Sequence, residues 1–264
     1  MIVVLSEADT SPAIDINTRE LHAITEAARM FGCRVYAVPQ NFSTAGTAEN
    51  ALAYLPMYAS PIPGVWVGYI PSVERYTALC DAAKAKGIYL LNTPAEYQIA
   101  MEFDHFYPRL GDLTPASMII TSLAECKKVT AQLGFPAFVK GAVKSNKSQG
   151  WSACVAHNEF ELTTLVNELL VHTNRSRGRV VVRKLVNLRY VNKTPDGFPL
   201  GREYRVFVYH NNVLAYGYYW DEQRDPYTLT STDSQAIADL ASEAAQRVQV
   251  PFLAVDIGQL QSGE

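Results

Sequence analysis

The segment Leu133-Gly134-Phe135-Pro136-Ala137-Phe138-Val139-Lys140 joins the end of a helix to a short apolar strand that ends in a positive charge. Upstream, Ser122 with Glu125 three residues later has the capping-box pattern of a helix start, and Gly134 ends that helix. A polar run from Gly141 to Gly150 follows, and Trp151 to Ala156 has the pattern of a second strand. We therefore predict a hairpin with a long, flexible connection.

The connection between these strands contains the residue types that a polyphosphate requires. It has two lysines (Lys144 and Lys147), two serines, an asparagine and a glycine at each end. Ammonium groups, hydroxyls and backbone amides all bind phosphate oxygens, although a solvated hairpin loop has the same composition. The spacing is not that of a P-loop. Lys140 is equally open to two interpretations: a phosphate ligand, or an edge lysine that extends its ammonium into water.

Downstream, apolar runs and helical periodicity predict further strands and helices. The predicted strands are Val180–Val186, Tyr204–Tyr209, Val213–Trp220 and Phe252–Ile257, and the predicted helices are residues 159–172 and 234–248. A tight turn at His210-Asn211-Asn212 would join the second and third of these strands. We expect the aromatic run that ends at Trp220 to lie mostly in the core. Strands here outnumber helices, which indicates an α+β arrangement.

The first 110 residues or so have a different rhythm, in which short apolar strands alternate with helices. Ile2–Leu5 is a typical buried strand, and an amphipathic helix over residues 18–31 follows it before Gly32. Such alternation predicts an α/β domain with a parallel sheet. The aromatic and charged stretch between Met101 and Pro115 changes the pattern, so we predict domains at residues 1–111 and 112–264.

The bulk properties exclude several classes of protein. A formal net charge of -3 argues against general nucleic-acid binding, and no apolar run approaches the roughly 20 residues that cross a membrane. The four cysteines are far apart, so a zinc site or a disulfide framework is not expected. No signal peptide is evident at the start of the chain, and we expect a cytoplasmic protein. The oligomeric state stays open, a homodimer included.

Four segments in this order resemble the ATP-grasp superfamily, and specifically its arginine- and lysine-rich (two-arginine, one-lysine) clade. They are the strand ending at Lys140 with its polar loop, the hinge-like strand Val180–Val186, the strand Glu203–Val208 with its hairpin partner, and Phe252–Ile257 with Asp256. The resemblance covers residue 112 to the end. It implies a preATP-grasp α/β domain followed by an ATP-grasp domain of two α+β subdomains.

The resemblance also implies the role of each matching residue. Lys140 would bind ATP phosphates, the loop containing Lys144, Lys147 and Gly150 would close over them, and the backbone of Lys184 and Val186 would meet the adenine. Arg183 stands at a hinge position where the family often has a glutamate. Glu203 would lie near the ribose or the metal, and Asp256 would bind Mg²⁺. Arg205, with Arg202 beside it, would neutralise the transferred phosphate or an acyl-phosphate.

Simpler interpretations of the same residues remain. Glu203 and Arg205 share one strand face and could form an exposed ion pair. Asp256 could cap a turn, and Arg189 and Arg202 could be surface charges. The family adds a second acid and an amide or acid on a strand after the aspartate. Because Val255–Ile257 would otherwise lack a hairpin partner, we expect the ATP-grasp domain to continue beyond Glu264.

The chemistry that the resemblance implies is the ATP-dependent ligation of a carboxylate to an amine through an acyl-phosphate. ATP and Mg²⁺ would be the cofactors, and small carboxylates and amines, such as amino acids or peptides, the partners. Two alternatives are a small-molecule kinase with the same ATP site and a nucleotide-binding protein without catalysis.

Overall fold

A computed structural model of the chain describes residues 1–8, 16–40, 42, 45–220 and 225–264. Its contacts divide the chain into two compact units, Met1–Gln98 and Ile99–Glu264. The fold class is confirmed: a parallel sheet lies in the first unit and antiparallel sheets lie in the second. The boundary expected between residues 111 and 112 stays a prediction.

The first unit is built on a parallel sheet with strand order β2-β1-β3-β4 among the described residues. All of β1 is buried, as its apolar run predicts, because parallel strands carry helices on both faces. The elements are β1 (Val3–Ser6), α1 (Ile16–Met30), β2 (Arg34–Ala37), α2 (Ala45–Ala51), β3 (Ile62–Val67), α3 (Val73–Ala85) and β4 (Ile88–Leu90). Helix α4 (Pro94–Met101) contains the boundary between the units.

The second unit begins with an antiparallel sheet in the order β5-β8-β6-β7. Its core is formed by apolar side chains of α7 against Val139, Val180 and Val182. The capping box at Ser122 is confirmed, and a short 3-10 turn leads from it into α6. The elements are α5 (Phe103–Leu110), β5 (Ser117–Ile120), α6 (Cys126–Leu133), β6 (Ala137–Gly141), β7 (Val155–Ala156), α7 (Glu159–Val171), α8 (Thr173–Ser176) and β8 (Val180–Lys184).

A second sheet, ordered β12-β11-β13, packs its buried face on helix α9. The tight turn is confirmed: His210 and Asn211 both have positive φ, 45° and 65°, which suits a two-residue hairpin loop. A small hairpin of β9 and β10 precedes this sheet. The elements are β9 (Tyr190–Lys193), β10 (Pro199–Gly201), β11 (Glu203–Tyr209), β12 (Asn212–Tyr218), α9 (Ser231–Val248) and β13 (Phe252–Gly258).

Three details of the second unit differ from the sequence-based expectations. The segment predicted as a strand from Trp151 is a 3-10 turn as far as Ala153, and only Val155–Ala156 pairs with β6. Strand β13 pairs with β11 along its whole length, so its partner lies within the chain and the expected need for a later one was wrong. Tyr216 is 40% exposed, because it faces away from α9.

Two expected absences concern chemistry outside the fold itself. All four cysteines are free thiols, so the described chain holds no disulfide. Within the part of the chain that the structure describes, no helix combines the length and apolarity that crossing a membrane requires.

Candidate functional site

Lys140 lies on the face of β6 that is turned away from the helix-covered core. Its neighbours Val139 and Gly141 are buried, and alternation along the strand directs Lys140 to the opposite face. The Lys140 Nζ is 5.2 Å from the centre of the Phe103 ring. Burial lowers the pKa of this ammonium to about 8, repulsion by Arg183 and Lys147 adds to the effect, and attraction by Asp256 opposes it. A freely solvated edge lysine would not have such a pKa.

Arg183 lies on the neighbouring strand, opposite Phe138, and reaches the same aromatic ring as Lys140. Its guanidinium carbon is 5.8 Å from the centre of the Phe103 ring, and it donates a hydrogen bond to the Thr114 hydroxyl. Burial lowers the pKa of Arg183 as well. Two desolvated cations therefore flank one phenyl ring.

The loop after β6, residues 141–150, is fixed to the short helix α8 through Arg175; we call it the phosphate loop. The N–H groups of Val143 and Lys144 both donate to the Arg175 carbonyl, at 3.0 and 3.1 Å, and Arg175 Nη1 donates to the Ser145 carbonyl at 2.6 Å. A side chain at Gly141 would lie 2.2 Å from the Arg175 carbonyl oxygen, so only glycine allows this approach. The loop that we expected to be flexible is thus tied down along its first half.

The two lysines of the phosphate loop have different surroundings. Lys144 lies near Arg175 and Arg177, and burial together with repulsion by these two arginines lowers its pKa. Lys147 begins a 3-10 turn and extends toward a group of aromatic rings, with its Nζ about 5 Å from three ring centres. Gly150 closes the turn with φ of 88°, and a Cβ there would lie 2.8 Å from the Cβ of Asp196.

The hinge residues offer backbone groups rather than side chains. The Lys184 side chain is exposed, while its N–H donates to the Ala116 carbonyl at 2.8 Å. Two residues later the chain has left β8, and no group of the described residues accepts a hydrogen bond from the Val186 N–H. A partly buried N–H without a partner is uncommon and is typical of a position that a ligand completes.

Arg205 and Asp256 are brought together by the register of β11 and β13. The two residues are direct cross-strand neighbours, and Arg205 donates from Nε and Nη2 to the two carboxylate oxygens at 2.7 and 2.9 Å. Their side chains are 45% and 43% exposed, on the sheet face that is turned away from α9. The exposed ion pair considered for Arg205 therefore exists, but its partner is Asp256 and not Glu203.

Glu203 has a different environment at the start of the same strand. Its Oε2 accepts a hydrogen bond from Trp220 Nε1 at 3.1 Å. Burial raises the pKa of this carboxyl group, while Lys147 and the Trp220 hydrogen bond pull it down. Glu203 is thus held near Lys147 of the phosphate loop.

Arg202 is committed to contacts that hold the second sheet together. It is 7% exposed, and its guanidinium donates to Gln259 at 2.7 Å and to Asp233 at 3.0 Å. The same guanidinium lies 5.3 Å from the Tyr227 ring, and Arg189 is 6.0 Å from that ring. These contacts anchor β11 to the start of α9. A catalytic role for Arg202 stays a prediction.

The carboxylates in the described residues only partly suit Mg²⁺. The one group of three acidic or histidine side chains close enough to hold a metal in that part of the chain is Glu102, Asp104 and His105, and Arg179 already pairs with both of its carboxylates. Asp256 would offer a single carboxylate. That is enough for Mg²⁺ carried by nucleotide phosphates, because Mg²⁺ commonly uses one or two protein carboxylates and retains water.

Several residues of the site carry no recognisable signal in the sequence. Phe103 lies in the aromatic stretch that we assigned to a domain junction, and Arg175 lies on a short helix that no pattern predicted. Phe198 and Trp220 are far from Lys147 in sequence and meet it only in the folded chain.

Comparisons with known proteins add a family to this geometry. The model of the ATP-grasp domain of the two-arginine, one-lysine clade, family 3, matches residues 131–264, just over half of the chain. A comparison with characterised protein sequences gives no match.

Solved structures of low sequence identity share the fold over the whole chain. A RimK domain protein with an ATP-grasp fold from Sphaerobacter thermophilus DSM 20745 is 14% identical, with a TM-score of 0.59 over 100% of this chain and 88% of that one. D-alanyl-alanine synthetase A from Vibrio cholerae O1 biovar eltor str. N16961 is 14% identical, with a TM-score of 0.60 over 100% and 85%. The ATP-grasp ligase PsnB, complexed with minimal precursor, Mg and ADP, is 14% identical, with a TM-score of 0.56 over 100% and 86%.

Proposed function

The chain belongs to the ATP-grasp domain family 3 of the two-arginine, one-lysine clade, and from this premise we propose that it is an ATP-dependent ligase that joins a carboxylate to an amine. ATP would phosphorylate the acid, and the amine would then displace phosphate from the acyl-phosphate. Because the reaction consumes ATP, the proposal carries the expectation of a cytoplasmic enzyme. The acid and the amine would be small molecules or the ends of a peptide.

The observation that carries the proposal is the convergence of three positive charges without matching negative ones. Arg183 and Lys147 both depress the pKa of Lys140, and Asp256 is the acid that opposes them. Gathering desolvated like charges costs free energy, and a polyphosphate of opposite charge offsets that cost. This arrangement supports a site for the phosphates of ATP at Lys140, with Lys147 and Arg183 around it and Lys144 and Gly150 in the covering loop.

The hinge supports an adenine contact next to the phosphate site. The Val186 N–H can donate to a ring nitrogen of adenine, and the carbonyl of Lys184, two residues earlier, can accept from its exocyclic amine. Both groups follow strand β8, which also carries Arg183. Glu203 would lie on the ribose or metal side of the bound nucleotide.

The pair Arg205–Asp256 supports the transfer step. In the first half of the reaction, a carboxylate oxygen of the acid attacks the γ-phosphorus and ADP leaves. In the second, the amine nitrogen attacks the acyl carbon, phosphate leaves, and the nitrogen gives up its proton. A bidentate guanidinium such as that of Arg205 stabilises the negative charge that develops on phosphoryl oxygens. Asp256 would hold Mg²⁺, which neutralises phosphate charge when bound.

The relatives with known ligands or names are consistent with this chemistry. One is named D-alanyl-alanine synthetase, and another is a ligase whose complex contains a precursor, Mg and ADP. At 14% identity neither identifies the substrates of this chain.

The test is binding and turnover of ATP with and without the phosphate lysine. We expect Lys140→Ala to abolish ATP binding by calorimetry, and unchanged ATP affinity would refute the phosphate assignment. Screening ATP-dependent phosphate release against pooled acids and amines then tests ligation, since a ligase releases ADP and phosphate only when both substrates are present.

A nucleotide-binding protein without catalysis is the second candidate. It is favoured by one observation: Arg205 occupies both oxygens of Asp256, and Asp256 is in no three-ligand group of the described residues. Such a protein would bind ATP through Lys140 but release no phosphate with any substrate pair. A kinase would instead transfer the phosphate to a stable acceptor and form no amide.

A further inference from the structure

Three aromatic rings surround the ammonium of Lys147. The Lys147 Nζ is 5.4 Å from the ring centre of Phe198, 4.9 Å from Tyr219 and 5.2 Å from Trp220. We call these three residues the aromatic cage. Phe198 precedes β10, and the other two follow β12, whereas Lys147 belongs to the phosphate loop after β6. The cage therefore joins the phosphate loop to the elements around the other sheet of the second unit.

The cage is built before any ligand arrives, because its members hold one another. Phe198 and Trp220 pack with ring centres 5.7 Å apart, and Tyr219 meets Trp220 edge-on at 5.1 Å. Trp220 donates its indole N–H to Glu203, and the Tyr219 backbone N–H donates to the Glu203 carbonyl at 2.9 Å. Both the rings and their backbone are thus fixed to the start of β11.

A cage of rings holds a cation in a way that an ion pair does not. The ring faces attract the ammonium through their quadrupoles but carry no net charge, so the positive charge of Lys147 is placed without being neutralised. In the part of the chain that is described, no carboxylate lies within 4 Å of this ammonium. The charge stays available to an anion, and it already acts on Lys140 across the site.

We propose that Tyr219 and Trp220, with Phe198 behind them, are positioning residues for nucleotide binding that act through Lys147. This inference rests on the proposed ATP site. The cage keeps the ammonium of Lys147 directed at the phosphates and holds the phosphate loop in place from the opposite sheet. Trp220 contributes twice, since it also orients Glu203.

A double-mutant cycle with a non-hydrolysable ATP analogue and Mg²⁺ tests the proposal on the full chain. A partly desolvated cation–π contact of about 1–2 kcal/mol corresponds to roughly 5- to 30-fold in affinity. We expect Trp220→Leu and Lys147→Met each to weaken binding by about tenfold, and the double variant to bind no more weakly than Lys147→Met alone. Trp220→Phe, which keeps a ring face but loses the N–H, should bind within about threefold of the wild type.

Trp151 provides the matched control. It packs on Phe198 at 5.3 Å in the same aromatic group but has no ring contact with Lys147 among the described contacts. Effects of Trp151→Leu on analogue binding should therefore add to those of Lys147→Met. Thermal unfolding monitors the fold throughout, and if Trp220→Leu does not fold, Tyr219→Leu takes its place in the cycle with the same expected coupling.

Additive effects of Trp220→Leu (or Tyr219→Leu) and Lys147→Met would overturn the proposal, as would wild-type affinity in Trp220→Leu. Failure of the ATP site itself gives a different result. In that case the wild type does not bind the analogue, or Lys140→Ala binds it as the wild type does. A wild type that binds, with a Lys140→Ala variant that does not, isolates the cage as the hypothesis under test.

Discussion

Lys140 has the most perturbed chemistry of the predicted site residues. Its pKa falls from 10.5 to about 8 in the folded chain, with burial as the main cause. The folded pKa lies below the unfolded one, so the unfolded chain binds more protons between about pH 8 and 10.5 and stability rises with pH over that range. Below pH 8 the full cost of the buried charge is present. A bound anion would remove this cost.

The first prediction at this scale concerns the pH dependence of ATP affinity. Protonated Lys140 is the form that binds phosphate, so affinity should be nearly constant below about pH 7.5. Above about pH 8 it should weaken, by up to roughly tenfold per pH unit, because each binding event then requires the uptake of a proton. ATP itself is fully ionised in this range, as phosphate loses its last proton near pH 6. Calorimetry from pH 6.5 to 9.5 measures the effect.

Lys140→Arg is the control for this profile. A guanidinium stays protonated throughout the range, so the variant should show an affinity that does not change between pH 7 and 9. A wild-type profile that is flat over the same range would show that the charge of Lys140 does not take part in binding.

The second residue-scale prediction separates function from structure at Arg205 and Asp256. Exposed ion pairs contribute about 0–1 kcal/mol, so Arg205→Lys and Asp256→Asn should change the free energy of unfolding by no more than that. Turnover of ATP should nevertheless fall by about 100-fold or more, because Lys cannot bind a phosphoryl group bidentately and Asn does not carry the charge that Mg²⁺ requires. Urea unfolding and phosphate-release rates measure the two effects.

Asp112 offers a comparison for that experiment. It forms another exposed ion pair, with Arg247 at 2.6 Å, and lies outside the predicted site. Asp112→Asn should therefore have as little effect on stability as Asp256→Asn and should retain turnover. Equal turnover in the two variants would reduce the Arg205–Asp256 pair to a surface contact.

At the scale of elements, short apolar runs located most strands of the second unit. The strand ending at Lys140, the strand carrying Arg205 and the strand carrying Asp256 all lie where the sequence placed them. The runs could not give the register between β11 and β13, and it is the register that pairs Arg205 with Asp256. The stretch from Trp151 was misjudged because its apolar side chains pack in the aromatic group around Phe198, which a 3-10 turn allows as well as a strand does.

Gly141 gives a prediction for the element it ends. An alanine Cβ there would lie 2.2 Å from the Arg175 carbonyl oxygen and 2.9 Å from the Cα of Ser176, both backbone atoms that cannot rotate away. Gly141→Ala should therefore separate the phosphate loop from α8, lower the free energy of unfolding by about 1–3 kcal/mol and weaken ATP binding. Chemical denaturation and calorimetry measure the two effects.

Gly217 is the matched strand glycine, with no atom within 4 Å of an added Cβ. Gly217→Ala should leave stability unchanged or raise it slightly, because alanine restricts the unfolded chain more than glycine does. If Gly141→Ala were as stable as Gly217→Ala, the close approach of loop and helix would not be a requirement of the fold.

At the scale of the whole molecule, the residues proposed for ATP all belong to the unit Ile99–Glu264. That unit has its own buried clusters, one around α7 and one around α9, composed entirely of its own residues. The fold class was predictable because alternating elements and strand-rich segments have distinct periodicities. The aromatic cage was not, because it joins Lys147 to rings 51 or more residues away in sequence, and only the folded chain brings them together.

This division leads to the last prediction, for a fragment of residues 92–264. It begins at Asn92 so that helix α4 keeps its N-terminal capping contact between Thr93 and Glu96. Because its cores are self-contained, the fragment should unfold cooperatively and bind ATP within about threefold of the affinity of the full chain. Binding should again be lost on Lys140→Ala. Ligation should instead depend on the first unit, since parallel sheets commonly bind ligands beyond their strand carboxyl ends. A fragment that folds but does not bind ATP would show that the first unit supplies part of the nucleotide site, and full ligase activity of the fragment would exclude any role for that unit in holding substrate.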